Sequence, residues 1–149
     1  MKKLFPVVSA IIIGMCLAKF MFNQYTYEAK ISTVFNNGTK VYFLQQGVYS
    51  IYESMQTSLT KFNYYIYSLN EDKYYVYVAI TKSQENLEKL KEYYKSLGYS
   101  IYVKELNINN NDFLNILEQY DILLNKTTEI SVIDAIVTQT LTKYEELTK

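Results

Sequence analysis

The chain is expected to fold as an α+β protein: a βαββαβ single four-stranded antiparallel sheet with two helices on one face. Three observations lead there. Tyr42 to Leu59 is echoed, thirty-two residues later, as Tyr74 to Lys91. Each copy passes from an alternating, aromatic-rich run into helical spacing, and each is followed by a further short run, Tyr64 to Tyr67 in the first and Tyr99 to Tyr102 in the second. Tandem βαβ halves of this size build one sheet with both helices on the same side, leaving the other side uncovered.

An N-terminal transmembrane helix is expected before this domain. Leu4 to Phe22 is apolar except for Lys19 and follows Met1-Lys2-Lys3. At about 1.5 Å per residue it matches a hydrocarbon layer of about 30 Å, with Lys19 reaching the far interface. The positive flank places the N-terminus inside and the body outside, a single-pass cell-membrane protein with an extracytoplasmic domain. Two rivals also place the body outside the cytoplasmic membrane: a signal peptide cleaved near Cys16-Leu17-Ala18, and a lipoprotein signal using Cys16, against which Met15 stands. Residues 23–39 read as a spacer ending in the turn signal Asn36-Asn37-Gly38.

The domain is expected over residues 40–106. In its first strand Tyr42, Leu44 and Gln46 share one side, and Phe43 and Gln45 the other. In its third, Tyr74, Val76 and Val78 oppose Tyr75 and Tyr77. Turning Ile66, Ile101 and Val103 toward the helices leaves Tyr65, Tyr67, Ser100 and Tyr102 outside. The uncovered side then carries Phe43, Gln45, Tyr65, Tyr67, Tyr75, Tyr77 and Tyr102, an aromatic platform holding one amide. Taken singly each tyrosine is ordinary strand chemistry; as a set they form a surface for flat ligands, their rings covering apolar faces and their hydroxyls bonding edges.

The first helix runs over about Ile51 to Phe62, with Met55, Leu59 and Phe62 toward the sheet. The second is capped by Thr81 or Ser83, carries the stripe Leu87, Leu90, Tyr94 and Leu97, and stops at Gly98. Its Glu85, Glu88, Lys89, Lys91, Glu92 and Lys95 read as a solvated face. Residues 107–149 form a helical C-terminal extension. Asn109-Asn110-Asn111-Asp112 caps a helix carrying Phe113, Ile116, Leu117, Tyr120 and Leu124, and a second helix from about Ser131 to Leu147 carries Ile133, Val137, Leu141 and Tyr144. These stripes either dock on the domain or each other, or meet a partner.

Composition excludes several chemistries. There is no histidine and one cysteine, so histidine bases, Cys/His nucleophile pairs and thiolate metal sites are absent by inventory. No cofactor or metal is expected, and no enzyme. Every basic residue is a lysine, three of the 15 precede residue 23, and the remainder faces 15 acids. An arginine-free, mildly acidic body is a poor partner for nucleic acid.

Gln45-Gln46-Gly47-Val48-Tyr49 before an amphipathic helix, and Tyr75-Val76-Tyr77-Val78-Ala79-Ile80 before Lys82-Ser83-Gln84-Glu85-Asn86-Leu87, resemble the SPOR domain, the sporulation-related repeat. The resemblance covers residues 40–106. Gln45 and Gly47 match the first motif; Val48 stands for its serine, Tyr49 for its phenylalanine, and Ala79 and Ile80 for the glycine and proline of the second. The resemblance implies a membrane-anchored, noncatalytic cell-envelope protein that binds peptidoglycan glycan strands stripped of stem peptides, in division or sporulation. The alternative is a protein–protein interaction module of an envelope assembly, with a partner met through the sheet or the C-terminal helices.

Overall fold

The computed structural model describes residues 38–148. The anchor expected at 4–22 and the spacer before Gly38 lie outside the described residues. Among the described residues no helix is long and apolar enough to cross a membrane.

The elements follow as β1 (Thr39–Tyr49), α1 (Tyr52–Ser58), β2 (Ile66–Asn70), β3 (Lys73–Thr81), α2 (Gln84–Ser96), β4 (Tyr102–Ile108), α3 (Asn111–Lys126) and α4 (Ile130–Thr148). The four strands form one antiparallel sheet in the order β2-β3-β1-β4. With β3 between them, β1 and β2 run parallel, and so do β3 and β4 across β1. The protein is therefore α+β with two interleaved βαβ units, and the echoed segments meet as the paired central strands.

Local chemistry sets the boundaries. Glu71 and Asp72 both hold positive φ, 49° and 56°, the twist a two-residue hairpin needs. That turn pairs Asn70 with Lys73 and carries β2 further along the chain than the run Tyr64 to Tyr67. In α2 the Ser83 side chain accepts from the Asn86 N–H, and Gly98 takes positive φ just beyond the last turn. Leu87, Leu90 and Tyr94 are buried, and the Tyr94 hydroxyl donates to the Val78 carbonyl at 2.9 Å. Burial holds that hydroxyl's pKa far above its ordinary value. The first helix is shorter than its spacing suggests, ending at Ser58, with Met55 and Leu59 buried.

The C-terminal hairpin is a third layer rather than an appendage. Asn110 accepts from the Phe113 N–H at 2.9 Å and donates to the Leu147 carbonyl at 3.0 Å, tying the start of α3 to the end of α4. Phe113, Leu117 and Leu141 are fully buried. On the sheet, the Phe43 ring lies between Tyr77 and Tyr144, with centroids 5.5 and 5.2 Å away, and Tyr144 meets Phe113 at 5.1 Å, all edge-on. Burial, with Tyr77 close by, raises the pKa of the Tyr144 hydroxyl.

This corrects the expected open platform. Phe43 (1% exposed) and Tyr77 (5%) belong to the core. Val41, Phe43 and Ile80 line up on one face by register, and the apolar stripes of α3 and α4 need a surface of that kind to bury against. A boundary at residue 106 also cuts β4, which continues to pair with β1 as far as Ile108 opposite Thr39. Residues 38–148 form one compact unit.

A buried carboxylate clasps the hairpin to the first two layers. Asp121 of α3 accepts from the Thr81 hydroxyl and from the Lys82 N–H at 2.9 Å. The Asn86 side-chain amide donates to the Asp121 carbonyl at 2.8 Å and to its carboxylate at 3.0 Å. Nearby, Lys89 Nζ donates to the Leu124 carbonyl at 2.6 Å and also bonds the Thr127 carbonyl, covering the C-terminal end of α3. At the other end, the Tyr64 hydroxyl donates to Glu145 at 2.5 Å, and Asn63 to Asp134.

Candidate functional site

Half of the sheet face that carries Phe43 escapes the hairpin. Register builds the site from three strands: Gln45 of β1 sits opposite Tyr102 of β4 and opposite Tyr77 of β3, and Val48 sits opposite Tyr75. Lys104, two residues after Tyr102, projects on the same side. Its ammonium crosses β1 to lie 5.3 Å from the Tyr75 ring centroid and 3.4 Å from the Tyr77 hydroxyl, to which it donates. The accessible strip is thus Gln45, Val48, Tyr75, Tyr102 and Lys104. Tyr102 is 67% exposed and Val48 44%, while Gln45, Tyr75 and Lys104 are half-buried.

Two compensating bulges lie under this strip. Leu44 pairs with Ala79, Gln45 with Tyr77, and Gly47 with Val76, so Val78 is extra on β3 and Gln46 is extra on β1. The register before and after is the same, and only the Gln45–Tyr77 pair is displaced. Bulges of this kind re-aim side chains where a sheet meets a ligand. Gly47 permits the second: a Cβ there would stand 3.1 Å from the Tyr49 ring, whose hydroxyl donates to Gln46 at 2.8 Å.

Of the seven residues expected on the platform, Gln45, Tyr75 and Tyr102 are brought together on accessible surface. Phe43 and Tyr77 share their face but are buried, with only the Tyr77 hydroxyl reaching the strip through Lys104. Tyr67 is on the opposite face: it pairs with Val76, and its ring packs against Tyr52 of α1 at 6.0 Å and Tyr74 at 5.7 Å. Counting back from the Glu71-Asp72 turn gives that parity, because 70 opposite 73 puts 67 opposite 76. Tyr65 lies before β2, half-buried against the core.

Sequence reasoning missed Lys104 and Val48. Lys104 had a signal, since strand alternation places it beside Tyr102 once β4 extends past that residue. It also missed the Tyr52–Tyr67–Tyr74 cluster, whose third edge is 5.6 Å, flanked by exposed Leu69 and Ile51.

The strip is suited to binding by surface contact. Stacking rings, an amide and one ammonium lie across three strands, about 10 Å from outer strand to outer strand. A separate groove near the clasp is lined by Lys82, Ser83, Glu118 and Asp121, but its charges engage one another: Lys82 meets Glu118 at 3.1 Å and Asp121 holds the hairpin. Among the described residues no group of acidic or cysteine side chains is arranged to hold a metal ion. Compared with known proteins, the chain matches no family model, no curated protein and no solved structure.

Proposed function

We propose that this protein is a noncatalytic cell-envelope module that binds peptidoglycan glycan strands through the strip Gln45, Tyr75 and Tyr102. The observation that carries the reading is Tyr102: a ring two-thirds exposed on a strand, opposite an amide, on the part of its face that the hairpin leaves open. Exposed aromatic surface of this kind suits the flat apolar side of a sugar ring, with Gln45 and the phenols supplying edge hydrogen bonds. Tyr102 and Tyr75 stand two strand spacings apart and two residues out of step along the sheet, about the reach of two linked sugars. The contacts are shallow, so affinity depends on repetition along the strand.

The full chain, held in detergent, is expected to sediment with sacculi freed of stem peptides. Tyr102→Ala is expected to reduce that retention about tenfold, the loss of one well-placed ring. Absence of sedimentation by the unaltered chain would overturn the reading.

A second reading, a protein partner, is favoured by one feature. The edge strand β2 carries no charged residue between Ile66 and Asn70, and Leu69 on it is 61% exposed. Uncharged edges of that kind accept an added strand.

A further inference from the structure

Resting on the glycan reading, we infer that Lys104 is a carboxylate-recognising subsite, so that the preferred ligand is a sugar strand bearing an anionic group rather than a neutral one. Four observations converge on it. The ammonium sits within the strip, not at its margin: its stem leaves β4 opposite Phe43 and its head crosses β1 to Tyr75 and Tyr77 on β3. It is the only charge among the residues that form the strip. None of the ion pairs Lys40–Glu105, Lys82–Glu118, Lys91–Glu88 and Lys143–Glu146 uses Lys104. Its neighbour Glu105 is taken by Lys40 at 3.0 Å, on the other side of the strand.

The position has a physical consequence. A lysine that is half-buried, lies over a ring and donates to a phenol is partly fixed before any ligand arrives, and it has lost part of its hydration. A carboxylate placed against it recovers a charge-assisted hydrogen bond at less entropic cost than one placed against a freely moving surface lysine. The rings on either side reject a highly charged polymer, because one ammonium neutralises one anion and the surrounding body is net acidic. The chemistry selects a ligand with a flat apolar face and one isolated carboxylate per short repeat. A glycan strand whose stem peptides have been removed at the amide meets that description, since each cleaved lactyl amide leaves a carboxylate beside its sugar ring.

The test compares the full chain and its Lys104→Gln variant on two matrices: sacculi freed of stem peptides, and the same sacculi with carboxylates converted to neutral methylamides. The expected result is that amidation lowers retention of the unaltered chain about tenfold, to the level of Lys104→Gln on either matrix, while the variant does not distinguish them. Equal retention of the unaltered chain on both matrices would overturn the carboxylate subsite and leave the glycan reading standing. Retention on neither matrix would overturn both. The matrix comparison uses the unaltered protein, so it decides the matter whatever the folding of the variant.

Discussion

Phe43→Ala is expected to lower the stability of the folded body by about 3–5 kcal/mol, the range for removing a buried ring. The residue is 1% exposed and its ring is held edge-on between Tyr77 and Tyr144. Truncation leaves a cavity at the junction of the sheet with the hairpin, bounded by groups fixed elsewhere: Tyr144 by its contact with Phe113, Tyr77 by the strand. Such a site collapses poorly, which puts the cost toward the upper part of the range. Denaturant unfolding should show a lower midpoint with an unchanged slope. Tyr102→Ala is the companion: at 67% exposed it should stay within about 0.5 kcal/mol of the unaltered chain. A platform residue exposed to ligand would give Phe43 the same small effect, so the contrast between the two separates core from surface.

The second large effect is expected at Asp121. Its carboxylate accepts from the Thr81 hydroxyl, the Lys82 N–H and the Asn86 amide, and these donors come from the end of β3 and the first turn of α2. Asp121→Ala leaves the Thr81 hydroxyl and the Lys82 N–H without that acceptor, while the Asn86 amide keeps its bond to the carbonyl of residue 121, at about 1–3 kcal/mol for each group that water does not reach. The expected total is about 3–5 kcal/mol, since the rim near Lys82 is half-exposed and water re-enters there. Asp121→Asn keeps one acceptor oxygen but turns an N–H toward the Lys82 N–H, and should lose roughly half as much. Equal stability of both variants and the unaltered chain, read by the same unfolding measurement, would show that the hairpin is held by its apolar stripes alone.

Much of the fold was legible because its signals are local. The repeat identified the two strands that pair at the centre of the sheet, Ser83 and Gly98 bounded α2, and Asn110 capped α3. The stripes of α3 and α4 were visible as helical spacing. What they bury was not, because spacing gives a helix an apolar side without naming what covers it. Alternation likewise sorts a strand into two sides without saying which is open, and so Phe43 and Tyr77 were grouped with Tyr75 and Tyr102, although the hairpin divides them. The displacement of Gln45 and Tyr77 by paired bulges left no mark in the alternation. Lys104 was hidden for a simpler reason: it follows directly on Val103, the last residue that the alternation assigns to the fourth strand, and a lysine there reads as ordinary solvated surface. Tyr67 lies on the other side because Ile66 pairs with Tyr77 and shares its face, the reverse of the expected one, a parity that only the hairpin turn sets.

One sheet face is divided, core under the hairpin and proposed binding surface beyond it. Ring-to-ring nuclear Overhauser effects in the full chain address it most directly. Cross-peaks are expected between the ring protons of Phe43 and Tyr144, whose centroids are 5.2 Å apart, and none between Tyr102 and any ring of α3 or α4. Missing Phe43–Tyr144 cross-peaks, with the Phe43 ring accessible to a dissolved paramagnetic probe, would contradict it.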